Sequence, residues 1–233
     1  MRVFWQEVTV EEEGGGHAVR LDGRALKTPA KADLRLPTRA LAEAMAAEWR
    51  AQAGEVRPDT MPLTRAANSA IDRVSLNRDA VIAEITGYGA SDLLCYRAPH
   101  PEELAAKQAA AWNPLLAWAA EALRAPLAVT SGVMHLRQSA ASLDALETAV
   151  RGHSAWDLTA LFDLVSISGS LVIGLAISRG QITASEAWPL SRIDEAWNIA
   201  QWGEDAEAAA QSEARRLAFV QAERLLRLLN GLS

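Results

Sequence analysis

Two pairs of carboxylates bracket two tryptophans near the end of the chain. In IDEAWNIAQWGEDAEA, residues 193–208, Asp194 and Glu195 precede Trp197, and Glu204 and Asp205 follow Trp202 and Gly203. Paired carboxylates perform general acid–base hydrolysis or hold a divalent metal when they converge on a cleft with a partner base or ion. An aromatic ring surrounded by polar groups serves instead as an anchor in a protein interface. A plainer reading is structural. On a helix, Ile193, Ala196, Trp197 and Ala200 share one face, Asp194, Asn198 and Gln201 the opposite one, and Glu195, Ile199 and Trp202 the seam between them. Gly203 breaks that helix. Glu204, Asp205 and Glu207 then fall at the start of the next, where acids favour the positive end of the helix dipole. On this reading the tryptophans are core, and Trp202, at the break, remains as an anchor with part of its ring packed inward.

No partner for carboxylate chemistry is visible elsewhere. His17, His100, His135 and His153 are scattered, and neither His-Glu-x-x-His nor Glu-x-x-His occurs. Cys95 is the only cysteine. It lies among apolar neighbours in DLLCYRA, where a free cysteine is a small core residue, and its solitude suits a reducing compartment. GGGH at residues 14–17 lacks the Gly-Lys-Ser/Thr ending of a phosphate loop and precedes a strand. SGSLVIG at residues 168–174 lacks Gly-x-Ser-x-Gly. Its glycines are expected to let two helices approach closely. The expectation is a protein without catalytic residues, cofactor or metal.

The formal net charge of −6 argues against nucleic acid, whose phosphates require a basic face. The longest apolar stretch, residues 167–177, is interrupted by two serines and falls short of the roughly 20 residues that cross a bilayer. The start, MRVFWQEVTVEEE, shows neither an apolar signal region nor an Arg/Ser-rich presequence. A soluble cytoplasmic protein is expected, or an organellar one already processed.

The elements that position these residues begin as β-structure. Residues 3–10 have strand propensity, EEEGGG reads as a turn, and residues 17–21 alternate Val19 and Leu21 on one face. Asp22–Gly23 is a hairpin signal, with residues 24–28 as the return strand and 34–36 as a further short one. Thr38 reads as the N-cap of a helix whose inward face carries Leu41, Ala44, Met45, Glu48, Trp49 and Gln52, with Gly54 closing it. Residues 57–62, RPDTMP, read as a linker. Beyond it the chain looks helical over residues 64–74 and 78–88. Pro101 stands at a first helical position, and Asn113–Pro114 restarts a helix. Residues 125–136 read as extended. Capping boxes are expected at Ser154/Asp157 and Thr183/Glu186, and a last helix over 206–229 stops at Asn230–Gly231. The fold class is α+β: a small N-terminal β-rich α/β domain (residues 1–60, hairpin strands plus one helix), then a larger all-helical domain (residues 61–233).

Three segments carry a family resemblance. The first is VRLDGRALKTPAKADLRLPTRALAEAMAAEWRAQ at residues 19–52, followed by MPLTRAANSAID at 61–72. The second is SDLLCYRA with QAAAWNPLLAW, within residues 91–118, and the third is SRIDEAWNIAQWGED at 191–205. In order and spacing they resemble the assembly chaperone family of the ATP synthase F1 sector that attends the α subunit. Ala25, Ala67 and Asn113 depart from that pattern, where proline, leucine and aspartate are usual. The resemblance implies a non-enzymatic chaperone, monomeric when free. It would bind the unassembled α subunit and shield its subunit interface until it meets the β subunit, in the bacterial cytoplasm or, for organellar relatives, the mitochondrial matrix. It also implies an α/β domain followed by a helical one, and partner binding through Glu195, Trp202, Gly203, Glu204 and Asp205. Two rival readings remain at this point. One is a carboxylate-based hydrolase or metal enzyme using Asp194, Glu195, Glu204 and Asp205 around Trp202. The other is a small-ligand module at the junction of two domains.

Overall fold

The structure is a computed structural model that describes residues 2–231. It is α+β, a small sheet region with a larger, mainly helical part. Strands β1 (Val8–Glu13) and β2 (Gly16–Leu21) form an antiparallel hairpin with Val8 opposite Leu21 and Glu13 opposite Gly16. Its turn uses Gly14 and Gly15, both at positive φ, a conformation that glycine adopts without steric cost. The acids of EEEGGG therefore lie in the strand, not the turn, where Glu11 and Glu13 flank Arg20 at 2.8 and 2.7 Å. Asp22–Gly23 turns β2 into β3 (Arg24–Ala25) as the sequence predicts. The Asp22 carboxylate also accepts the amides of Gln6 and Glu7, at 2.9 and 2.8 Å. Strand β4 (Arg35–Leu36) pairs with the start of β2.

Helix α1 (Arg39–Arg50) buries Leu41, Ala42, Met45, Ala46 and Trp49, in the same compact unit as buried Val19, Leu21, Leu34 and Leu36. Thr38 caps it, its hydroxyl oxygen accepting the Leu41 amide at 3.2 Å. The helix ends at Ala51, three residues before Gly54. The proline-rich segment is ordered by a buried side chain. Glu48 accepts the amides of Leu63 and Thr64 and the Thr64 hydroxyl, at 2.7, 2.9 and 2.8 Å. That satisfies the open N-terminus of α2 (Pro62–Ser69), which continues as a π-helical turn over Ala70–Val74. The first compact unit accordingly runs through this helix to Arg78, and also includes Ala155–Ala160 and the chain from Arg224 on.

The second unit holds α3 (Arg78–Gly87) from Asp79 on, β5 (Tyr96–Arg97), α4 (Glu102–Ala122), β6 (Thr130–Ser131), α5 (Ala140–Arg151), most of α6 (Ala155–Ser168), α7 (Leu171–Ser178), α8 (Ala184–Leu190), α9 (Ile193–Trp202) and α10 (Ala206–Asn230) up to Glu223. It is not wholly helical: β5 and β6 form a two-residue parallel pair. Asn113–Pro114 does not restart a helix either, because α4 runs through it. Pro114 and Ala110 both lie on the exposed side, so the one hydrogen bond that proline removes is lost where water replaces it.

The centre of this unit is α7, buried from Leu171 to Ile177. Gly174 makes it fit, as a Cβ there would lie 2.5 Å from Val165 Cγ2 on α6. Buried Asp92 ties the start of α7, accepting the Ser170 hydroxyl at 2.8 Å and the amides of Val172 and Leu94 at 3.0 Å each. Burial pushes its pKa up, opposed by those donors. The capping box of Thr183 and Glu186 forms at the head of α8, and α10 ends at Asn230 with Gly231 at positive φ.

Candidate protein-interaction site

Helix α9 carries the residues singled out by sequence, and α4 sets its position. Buried Trp112 donates its indole N–H to the Leu190 carbonyl at 2.7 Å, fixing the chain just before α9. Four residues earlier on α4, buried Gln108 accepts the Ala98 amide at 2.7 Å and donates to Asp194 Oδ1 at 2.6 Å. The Lys107 ammonium lies 4.9 Å from the centre of the Trp197 ring, a cation–π distance. Arg192 Nη1 pairs with Glu195 Oε1 at 2.9 Å, and its guanidinium lies 5.5 Å from the Trp188 ring. The first turn of α9 is thus held by polar and cation–π contacts.

Beyond Trp197 the helix is exposed. No residue of α9 is buried, and every residue of 198–208 is exposed. Trp202 is 87% exposed and Ile199 45%. The expected core placement of the tryptophans is therefore corrected. Trp197 is half-buried beneath a lysine, and Trp202 stands almost wholly in solvent. The helical period holds over Ile193–Trp202, but an apolar face buries only where an element packs against it. Gly203, at φ 85° and ψ 169°, ends the helix, and its amide donates to the Ile199 carbonyl at 2.8 Å.

The carboxylates have separate roles. Asp194 is bonded to Gln108 and Glu195 to Arg192. Asp205 is a cap, its Oδ1 accepting the Ala208 amide at 2.9 Å at the head of α10. Glu204 has no hydrogen-bond or ion-pair partner among the described residues. The two acid pairs sit at opposite ends of α9, separated by about 12 Å of helix. That is too far for one reacting bond, which carboxylate pairs flank at about 5–9.5 Å. Among the described residues no three His, Cys, Asp or Glu side chains form a group suited to a metal.

A shallow cleft of about 230 Å³ lies beside the first turn, lined by Asp194, Glu195, Arg192, Arg215, Leu93 and Ile167 among others. Arg215 donates to the Ile167 carbonyl at 2.9 Å. Glu195 lines this cleft; Trp202, Gly203, Glu204 and Asp205 do not. The supporting residues Gln108, Trp112 and Arg192 were missed by the sequence reading. A glutamine and a tryptophan four apart on an otherwise apolar helix face were the available signal.

Charge along this stretch has one sign. No lysine or arginine occurs between Arg192 and Arg215, whereas Asp194, Glu195, Glu204, Asp205, Glu207 and Glu213 do. The exposed Trp202 ring therefore stands in a stretch whose charged side chains are all acidic. Among the described residues no helix is long and apolar enough to cross a membrane.

The family model described as ATP12 chaperone protein matches residues 2–120. The solved structure of Atp12 from Paracoccus denitrificans is 49% identical, with 98% of each chain covered and a TM-score of 0.96. A solved structure from Agrobacterium tumefaciens is 40% identical, covering 99% of this chain and 85% of that one, with a TM-score of 0.91. The mitochondrial atp12 protein of Schizosaccharomyces pombe is 24% identical over 214 residues, 87% of this chain and 74% of that protein.

Proposed function

This chain belongs to the ATP12 chaperone family, and from that premise we propose that it binds the unassembled α subunit of the ATP synthase F1 sector. It is a chaperone of ATP synthase assembly and not an enzyme. The proposed grip is the end of α9 with the head of α10: Glu195, Trp202, Gly203, Glu204 and Asp205. The observation that carries this reading is Trp202, an 87% exposed indole at the end of a helix with no buried residue.

The physics of such a grip follows from its parts. A tryptophan covers about 150–250 Å² when a partner closes over it, so leaving it in water is costly unless a partner uses it. The surrounding acids add little affinity at the rim. They raise the encounter rate with a basic surface and disfavour acidic ones. A holder of this kind releases its client by competition, since a β subunit that covers the same α surface over a larger area displaces it.

The test is capture of an α subunit that aggregates when expressed alone. Trp202→Ala and Glu204→Lys are expected to lose the captured subunit while melting as the parent does. If both variants capture it normally, the grip lies elsewhere on the chaperone. If the parent captures none, the α subunit is not the client.

A further inference from the structure

We propose that the tip of the loop between β6 and α5, Val133 with Met134, is a second docking surface of the chaperone, and that it seats in an apolar cleft with a carboxylate rim on the client subunit. This rests on the chaperone reading above, but on a different part of the second unit. Val133 is 96% exposed and Met134 78%, and Val129, just before β6, is also exposed. Three of the exposed large apolar side chains thus fall within six residues.

The loop that presents them is fixed at both stems. Thr130 and Ser131 pair with Tyr96 and Arg97. The Gly132 amide donates to the Arg97 carbonyl at 2.8 Å, and Gly132 takes a φ of 85° that turns the chain immediately before Val133. On the return side, buried Gln138 clasps Ala128 twice: it accepts the amide and donates to the carbonyl, each at 2.9 Å. The Ser142 hydroxyl donates to the Pro126 carbonyl at 2.6 Å. A loop tip that only closes a connection carries turn-forming polar residues. This one holds two apolar side chains out on a braced frame, which lowers the ordering cost of docking. Valine gives a rigid knob, and methionine adapts to the wall it meets.

Charge identifies the complement. No aspartate or glutamate occurs between Glu121 and Asp144, while Arg124 and Arg137 do. Both arginines are exposed, and neither has an ion-pair partner among the described residues. An apolar knob on a stretch whose only charged side chains are arginines fits an apolar cleft edged by carboxylates. The sign is opposite to that around Trp202, so the two contacts together fix the orientation of the client.

The experiment measures binding of the isolated F1 α subunit to the full chain, in parent form and in two independent double variants. Val133→Ser with Met134→Ser removes the knob, and Arg124→Glu with Arg137→Glu reverses the charge of the stretch that carries it. All four side chains are exposed, so both variants are expected to keep the parent melting curve. Each is expected to weaken α-subunit binding about tenfold. The effect of the arginine reversal should shrink near 1 M salt, where screening acts within about 3 Å. Unchanged affinity in both variants, with a parent that binds, overturns the docking surface and leaves the chaperone reading standing. A parent that does not bind overturns that reading too. Variants that change only the self-association of the free chain, with client affinity intact, show a contact between copies and also overturn the proposal.

Discussion

Gln108 and Asp194, 86 positions apart in the sequence, meet at 2.6 Å, and the same glutamine holds the Ala98 amide at 2.7 Å. One buried side chain thus joins the end of β5, the middle of α4 and the start of α9. Gln108→Leu would leave the Ala98 amide and an Asp194 oxygen unsatisfied, at about 1–3 kcal/mol. Chemical denaturation should show that loss. Capture of the client should fall further than stability does, because the first turn of α9 would lose its seat.

Trp202 and Trp49 are opposite cases. Trp49 is buried on α1, with its ring centre 5.3 Å from that of Trp5 in an edge-on arrangement. Trp49→Arg should destabilise the protein by at least the about 3–5 kcal/mol typical of large-ring truncation, since it also buries a cation. Trp202→Ala removes a ring that touches almost nothing and should move stability by no more than about 0.5 kcal/mol. Melting curves of the two variants, measured side by side, check both placements.

Adjacent acids should also separate. Asp205 caps α10, so Asp205→Ala is expected to lose about 1 kcal/mol of stability. Glu204 has no such role, and Glu204→Lys is expected to alter client capture alone. Equal destabilisation by both would contradict the capping geometry.

Asp92 makes a pH-dependent contribution. Burial raises its pKa above the ordinary 3.8, so the folded chain holds the proton more tightly than the unfolded one. The stability this supplies is fully present below pH 3.8 and is lost as pH rises through the folded-state value. Asp92→Asn should remove that slope from a plot of unfolding free energy against pH. It also presents an amide N–H₂ where an oxygen accepted, so the variant should be less stable at every pH. A slope identical to that of the parent would contradict the assignment.

Gly174 has no room for a side chain, as a methyl would meet Val165 and Leu161 at 2.5 and 3.1 Å. Gly174→Ala should cost about 1–3 kcal/mol by overpacking, although alanine is the better helix former. A thermal melt decides which effect wins.

Local chemistry was legible in the sequence wherever one short stretch settles it. Asp22–Gly23 turns because both residues accept positive φ, Thr38 and Thr183 cap because their hydroxyls reach amides three residues on, and Gly231 stops α10. The close approach read from SGSLVIG is Gly174 against Val165. What escaped depends on distant residues. The pairing of β5 with β6 involves two residues on each side, too few to leave a period. Pro114 reads as a helix boundary until its outward placement is known. The exposure of Trp202 was hidden because an apolar helix face looks the same with or without a neighbour to cover it. The acids around it were nominated together, yet they divide into a seat, a pair, a cap and one free side chain.

The absence of cations between Arg192 and Arg215 has a consequence for the chaperone among its own copies. Any protein that keeps a bare indole in water risks sticking to itself. Here two molecules approaching indole to indole bring like charges together at close range, and the repulsion grows before the rings can touch. The acids act as a collar that keeps the adhesive surface available and the solution clear. That protection is ionic, so concentrated salt should strip it away and leave the protein prone to clump through the very side chain that it keeps ready for a client.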